Sequence, residues 1–310
     1  MFAFLIGVTA CAGSPPASTP ENGATAVLRA DTSIRDSTRI PTNATAAPSV
    51  TIPFTPTITP TLAPDDWQTM PVIPVVSAAA RRIYAEGQTL GNDPRAFSIL
   101  GDCLSLPNTL FDRYGQPGKY NLGDYAYLQP VIDYFLESFQ RQSISLGDGF
   151  NTAAVLSPLR ADPKQCEKGE NPMECEYRVH RPSYAIVSLG TDDWTIKPDV
   201  YEERMRRIVE YSIAHGIVPI LATKADNREG DYAFNKILAR LAYEYGIPLW
   251  NFWLAVQPLP GHGLIDGNGH LSWADPNHLE YTYSMQVATP VRNVTALQTL
   301  EAAWKGVTAA

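Results

Sequence analysis

Three short segments of the chain carry side chains that could act as nucleophile, acid and base. Gly101-Asp-Cys103 places a thiol directly after an apolar run, and Gly190-Thr-Asp-Asp193 places two carboxyl groups after another. Late in the chain, Asp266-Gly-Asn-Gly-His270 and Asp275-Pro-Asn-His278 each hold an imidazole near a carboxylate. A thiol beside an imidazolium ionises readily and can attack an acyl carbon. The residue types therefore predict acyl transfer through a thioester.

Four short apolar runs predict the buried strands that would position these segments. They are Phe97–Leu100, Tyr184–Leu189, Ile217–Ala222 and Ile247–Phe252. Pro219 has no N–H to give to a neighbouring strand, which favours a position near a sheet edge or a bulge.

Apolar residues at helical spacing predict the helices that alternate with these strands. The first spans residues 199–215, with Asp199 as its N-cap and Gly216 as its stop. The clearest amphipathic pattern spans residues 233–245 and is closed by Gly246. Pro290 opens a last helix that runs to about residue 304.

This alternation predicts an α/β fold, a three-layer α/β/α sandwich around a mainly parallel sheet. Right-handed crossovers between parallel strands place helices on both faces of such a sheet. Ligands and catalytic groups collect at the carboxyl ends of its strands. We therefore expect Cys103, Asp192 and the segment Lys224–Asp226 to lie along one edge.

The N-terminal part of the chain is interpreted as export and tethering sequence. Residues 1–10 form an apolar run shorter than the roughly 20 residues that span a bilayer. The run ends in Val8-Thr-Ala-Cys11, which resembles the lipobox of bacterial lipoproteins, so residues 1–11 are predicted to be a lipoprotein signal peptide with Cys11 lipidated. An ordinary signal peptide is the alternative. Residues 12–66, rich in Ser, Thr and Pro, predict a disordered linker, and residues 67–310 the folded domain.

The remaining cysteines and the net charge limit the classes of partner. Cys166 and Cys175 share a polar loop, which in an exported protein predicts a disulfide, with a zinc site as the alternative. A formal charge of −8 without a basic stretch argues against a nucleic-acid partner. We expect no metal and no cofactor.

The order of the chemical segments resembles that of the SGNH/GDSL hydrolase family over about residues 95–305. That family carries Gly-Asp-Ser after its first strand, an oxyanion-hole glycine in a second block, Gly-x-Asn-Asp in a third and Asp-x-x-His before the last helix. Gly101-Asp-Cys103, Gly147-Asp-Gly149, Gly190-Thr-Asp-Asp193 and the late Asp/His segments match in type and order. The resemblance implies the family's flavodoxin-like fold and hydrolysis of carboxylic esters.

The resemblance also gives roles to residues of the first three blocks. Cys103 takes the place of the nucleophilic serine, and its amide and that of Gly149, or else Gly147, would form the oxyanion hole. Asp192 takes the place of the family's asparagine, where a carboxylate would repel an oxyanion. It could donate a hydrogen bond only when protonated, with its pKa raised by burial or by Asp193.

Two pairs compete for the role of base. Asp266 and His270 are similar to the family's last block with one residue inserted, whereas Asp275 and His278 have its spacing. In either pair the aspartate would fix the imidazole tautomer while the other ring nitrogen faces the nucleophile. Ser105 is an alternative nucleophile.

Taken with the export signal, these features predict an extracytoplasmic, membrane-anchored lipoprotein of the cell surface or envelope that hydrolyses esters. The substrate would be a small molecule or a glycan carrying acyl or acetyl groups. An acyltransferase using the same thioester is a further reading. The alternative without catalysis is a catalytically impaired surface lipoprotein that keeps the SGNH cleft to bind a glycan or a lipid.

Overall fold

A parallel sheet forms the centre of the fold. The computed structural model describes residues 66–267 and 269–309. Its strands are β1 (Asp93–Gly101), β2 (Pro182–Ser188), β3 (Val218–Ala222) and β4 (Leu249–Trp250). Their order in the sheet is their order in the chain, and each neighbouring pair is parallel. The predicted α/β class with a parallel sheet is confirmed.

Helices account for most of the remaining regular structure. In the described ranges the α-helices are α1 (Ala78–Leu90), α2 (Gln129–Tyr134), α3 (Leu136–Phe139), α4 (Thr152–Val155), α5 (Pro172–His180), α6 (Pro198–Ala214), α7 (Ala233–Tyr245), α8 (Phe252–Val256) and α9 (Ala288–Thr308). Short 3-10 helices are Asp66–Thr69, Cys103–Ser105, Gly123–Leu128, Pro158–Arg160, Thr191–Asp193, Pro260–Gly263 and Ser284–Gln286. None of the described helices combines the length and the apolar character needed to cross a membrane.

The helices pack on the sheet in two groups. Helix α5 contacts β1, while α6 and α7 contact β3 and each other. Helix α1 contacts β2, β3 and α9, and α9 contacts β4. Because the strands follow one another in sequence, right-handed crossovers place α5, α6 and α7 on one face, which leaves the other face to α1 and α9. The result is the three-layer arrangement expected from the sequence.

Pro219 lies in β3 where its missing N–H costs no ladder bond. Strand β3 pairs with β2 along its length, but pairs with β4 only at Leu221 and Ala222. The Leu221 amide donates to Pro248 on the β4 side. Backbone N–H groups two residues apart point the same way along a strand, so position 219 faces the side that β4 does not reach. The proline therefore sits at a local edge.

Several boundaries differ from the sequence prediction, among them the start of α9, which is Ala288 and not Pro290. Helix α6 begins at Pro198 after Lys197, so Asp199 is not its N-cap but a first-turn residue. Proline fits that first position because its φ is already helical and its lost N–H has no partner there. The predicted strand 247–252 is only two residues long, because the Asn251 side chain caps α8 by accepting from the Leu254 amide.

The disulfide between Cys166 and Cys175 is present, with Cα atoms 5.1 Å apart. This confirms the predicted pairing and uses both sulfurs that the alternative zinc site would need. The bridge links the loop after the 3-10 helix Pro158–Arg160 to α5. Cys11 and the predicted signal peptide and linker lie outside the described residues, apart from Asp66.

Candidate active site

The nucleophile position stands on a tight turn at the carboxyl end of β1. The Asp102 side chain caps the 3-10 helix Cys103–Ser105 by accepting from the Leu104 amide at 3.0 Å. A side chain at Gly101 would place its Cβ 2.6 Å from the Ser105 Cβ, so the turn requires glycine there. Cys103 is only 8% exposed, and Ser105 is fully buried. Cys103 is disulfide-bonded in this structure.

The third block lies beside this turn because β1 and β2 are neighbours, with Gly101 opposite Ser188. Gly190 has φ +137°, a conformation that L side chains rarely adopt, and leads into the 3-10 helix Thr191–Asp193. Asp192 Oδ2 lies 3.9 Å from the Cys103 sulfur. The structure thus brings together the nucleophile position and the residue in the asparagine position.

Asp193 has a structural task in this block. It is fully buried and accepts hydrogen bonds from the Thr152 amide and hydroxyl, the latter at 2.6 Å. Thr152 opens α4, directly after the second block. Asp193 therefore fixes the second block against the third.

The two candidate oxyanion glycines differ in the state of their amides. The Gly147 amide donates to the Gly101 carbonyl at 3.4 Å. Gly149 has φ +66° in the turn closed by the Phe150 amide and the Gly147 carbonyl. Its own amide makes no hydrogen bond to any described residue. Of the two, Gly149 has the amide that remains open to an incoming group.

Asp266 and His270 form a hydrogen-bonded pair. Asp266 Oδ2 lies 2.5 Å from His270 Nδ1, and the His270 amide donates to Asp266 Oδ1 at 3.3 Å. Gly269, with φ +86°, turns the chain just before the histidine. The aspartate assigns the proton to Nδ1, which makes Nε2 the ring nitrogen that can accept one.

The second candidate pair is not joined in this way. Asp275 Oδ1 accepts from the Asn277 amide and from the Asn277 side chain. His278 Nδ1 instead lies 2.9 Å from Glu280 Oε1, and the His278 ring stacks on Tyr281. Asp275 thus orients a turn, and the imidazole of His278 has a different carboxylate partner.

A small crevice at the carboxyl ends of the strands joins the segments. Its lining includes residues on either side of Cys103 (Asp102 and Leu104) and on either side of His270 (Gly269 and Leu271). Thr191, from the third block, lines the same crevice. The nucleophile turn, the third block and the Asp266–His270 segment therefore border one space.

Lys224 and Asp226 form the polar wall of the crevice, as their position after β3 predicts. Lys224 Nζ lies 2.6 Å from Asp226 Oδ1 and 2.5 Å from Glu229 Oε2, all three side chains being buried. Asp226 Oδ2 accepts from the Thr191 hydroxyl at 2.9 Å. The network fixes the third block to the end of β3. Glu229 was not foreseen, although an acidic residue five positions after a buried lysine is a usable signal.

Arg292 of α9 is a second residue that the sequence did not point to. Its guanidinium donates to the Leu104 carbonyl, to Ser105 Oγ at 3.2 Å and to Ser188 Oγ at 2.8 Å. Burial lowers its pKa to about 10, against the opposing effect of the Asp102 charge. Arg292 is the single arginine of α9, a helix that also holds Asn293, Glu301 and Lys305, so the local sequence gives no clear sign of its buried role.

Two carboxyl groups at this edge have raised pKa values, which favour their protonated forms. Burial, and then the charge of Asp192, raises the pKa of Asp102 to about 7, although Arg292 opposes this. Burial also raises the pKa of Asp192, with Arg228 acting in the opposite direction and Asp148 and Asp193 in the same one. A raised pKa increases the fraction of Asp192 that is protonated and able to donate a hydrogen bond.

No family model and no curated protein matches the chain. Among solved structures, the chain is similar to a GDSL-like lipase from Bacteroides thetaiotaomicron, with 17% identity and a TM-score of 0.38. The alignment covers 72% of this chain and 98% of that one. The likeness of this protein to the SGNH/GDSL family therefore lies in the order of its motifs along the strand ends of a parallel α/β sheet.

Proposed function

We propose that the protein hydrolyses carboxylic esters, with Cys103 as nucleophile, His270 as base and Asp266 as the residue that orients the base. The observation that carries the proposal is the 2.5 Å Asp266–His270 pair, because the residues around it border the same crevice as the residues around Cys103. The Gly149 amide, and the Cys103 amide next to it in the family's scheme, supply the oxyanion hole. The second pair, Asp275 and His278, is assigned no catalytic role.

The reaction proceeds in two acyl transfers. His270 Nε2 takes the thiol proton, the sulfur bonds to the carbonyl carbon, and the carbonyl electron pair moves to oxygen. The oxyanion then collapses, the C–O bond to the alcohol breaks, and His270 returns the proton to the leaving alkoxide. Water, deprotonated by His270, hydrolyses the thioester and restores the thiol.

The reaction requires Cys103 as a thiol, because a sulfur held in a disulfide cannot attack an ester.

Turnover of p-nitrophenyl acetate by the full chain tests the proposal. We expect hydrolysis that rises on addition of a reductant and falls to the level of free buffer in Cys103→Ala. Ser105→Ala serves as the comparison at the neighbouring hydroxyl and should retain activity. Equal rates in wild type and Cys103→Ala would remove Cys103 from the mechanism.

A binding function without catalysis is the second candidate. The carboxylate of Asp192 near the nucleophile position and the disulfide-bonded state of Cys103 both favour it. In that case the crevice would bind a glycan or lipid without acylation. Reduced protein that binds such a ligand but never releases p-nitrophenol would support this second function.

We further propose that the form of the protein with Cys103 as a thiol acts outside the cytoplasm, attached to the membrane through the sulfur of Cys11. The Cys166–Cys175 disulfide supports an oxidising compartment. An envelope location makes acyl or acetyl esters of glycans the first substrates to try. Labelling with a radioactive fatty acid in wild type and Cys11→Ala cells tests the anchor.

A further inference from the structure

The proposed reaction lacks one of the donors that its family uses. Where the family has an asparagine amide, this chain has Asp192, whose oxygen lies 3.9 Å from the Cys103 sulfur. An ionised carboxylate there opposes the negative charge that develops on the substrate oxygen. Whenever Asp192 is ionised, the reaction therefore needs a compensating positive charge at the same place.

Arg228 lies between the third block and the segment that carries the base. Its Nη1 donates to the carbonyl of Thr191, the residue before Asp192, at 3.4 Å. A Cβ at Gly269, next to His270, would be 3.1 Å from Asp226 Cγ, 3.2 Å from Thr191 Cγ2 and 3.3 Å from Arg228 Cδ. The arginine side chain therefore packs against the chain directly before His270.

The guanidinium of Arg228 is held in place, but only one hydrogen bond to the described residues occupies its N–H groups. Its Cζ stacks 4.3 Å from the ring centre of Trp194, a residue that is 43% exposed. Apart from the bond to Thr191, its side chain makes no hydrogen bond to the part of the chain that the structure describes. A stacked, half-buried guanidinium keeps its charge and presents its remaining N–H groups outward.

Two other cations at this edge are buried in contacts with the protein itself. Lys224 is enclosed by Asp226 and Glu229. Arg292 donates from its terminal nitrogens to Leu104, Ser105 and Ser188. Arg228, in contrast, is partly exposed and keeps N–H groups that can donate to a substrate.

We propose that Arg228 supplies the positive charge that stabilises the oxyanion, replacing the amide that this chain lacks at position 192. The inference rests on the proposed reaction at Cys103. Arg228 donates to the substrate carbonyl oxygen as the carbon–sulfur bond forms, and it neutralises the repulsion from Asp192. Trp194 acts as a positioning residue that fixes the plane of the guanidinium.

The test is steady-state kinetics of the reduced full chain with a neutral ester, p-nitrophenyl acetate, and an anionic one, mono-p-nitrophenyl succinate. Loss of one oxyanion donor costs about 10²- to 10³-fold in kcat, so Arg228→Gln should lower kcat by that factor on both esters with KM almost unchanged. Arg228→Lys should recover part of the loss because it keeps the charge. Arg95→Gln is the matched control, since Arg95 also stacks on a ring, that of Tyr134, but lies near the opposite end of β1.

A double-mutant cycle separates this role from a structural one. Asp192→Asn restores the family's amide, so Arg228→Gln should cost less in that background than in wild type. An equal cost in both backgrounds, or a loss no larger than that of Arg95→Gln, would overturn the role of Arg228 while leaving the esterase proposal intact. A loss confined to KM of the anionic ester would instead make Arg228 a substrate-binding residue. Absence of turnover in reduced wild type would overturn the reaction itself, and the inference with it.

Discussion

Replacing His270 by glutamine should lower kcat for p-nitrophenyl acetate by about 10²- to 10⁴-fold, the usual contribution of a general base. Glutamine cannot take the thiol proton, although it can keep a hydrogen bond to Asp266. The pair has the bonded geometry that the role requires, with Nδ1 2.5 Å from Asp266 Oδ2. The measurement is kcat for the reduced full chain.

Two companion variants make the His270 result specific. Asp266→Asn should also lower kcat, because an amide cannot hold the imidazole in the tautomer that leaves Nε2 as acceptor. His278→Gln should have little effect, since His278 is engaged with Glu280 rather than with an aspartate. Loss of activity in His278→Gln with full activity in His270→Gln would reverse the assignment.

Replacing Arg292 by methionine should destabilise the fold by about 3–5 kcal/mol, because it removes a buried positive charge that attracts Asp102 and leaves buried acceptors without a donor. The substitution leaves Asp102 buried without its cation and takes donors from Leu104, Ser105 and Ser188. Methionine has a similar length, so little cavity is created. Denaturant unfolding at pH 7 measures the change, and Arg207→Met, at an exposed arginine of α6, should stay within about 0.5 kcal/mol of wild type.

The cost of Arg292→Met should depend on pH in a defined direction. The folded-state pKa of Asp102 is raised to about 7, so its contribution to stability is fully present below about pH 4 and is lost as the pH rises to about 7. Removing Arg292 raises that pKa further, so in the variant the loss continues above pH 7. The gap between variant and wild type should therefore widen from pH 6 to pH 8. A gap below 1 kcal/mol that does not change with pH would contradict the pairing.

The sheet was predictable because its strands appear in the sequence as short apolar runs. Helix α7 has the predicted bounds because an amphipathic pattern meets a glycine that adopts φ +63°. Strand β4 was predicted too long because capping by Asn251 ends it, and an asparagine inside an apolar run does not reveal where its side chain will bond. Helix α1 was overlooked despite Ser77 before it and Gly91 after it, which are ordinary start and stop signals.

The site was predictable in its residue types but not in its pairings. The sequence favoured Asp266 and His270 by their likeness to the family's last block and kept Asp275 and His278 as candidates for their spacing, because spacing does not show which carboxylate an imidazole meets. The residue inserted between Asp266 and His270 is absorbed where Gly269 turns the chain at φ +86°. Arg292 and Arg228 depend on how α9 and the loop after β3 dock against the turns, which is a tertiary property that a single sequence does not encode locally.

The buried carboxyl groups give the site its individual character. The charge of Asp192 raises the pKa of Asp102, which Arg292 opposes, and Arg228 opposes the effect of burial on the pKa of Asp192. An asparagine amide at position 192 is neutral and carries its own N–H donor, so it would need neither Arg228 beside it nor a raised pKa. Asp192 in place of the family's asparagine and the neighbouring Arg228 therefore have one explanation: the arginine compensates the charge of the aspartate.

Acylation of Cys103 tests most directly whether this residue is the nucleophile. The reduced full chain is mixed with p-nitrophenyl acetate, quenched in acid within seconds, and analysed by intact and peptide mass spectrometry. We expect one acetyl group on the peptide that carries Cys103, formed much more slowly in His270→Gln. An unmodified Cys103 in protein that releases p-nitrophenol, or acetylation equally fast without His270, would contradict it.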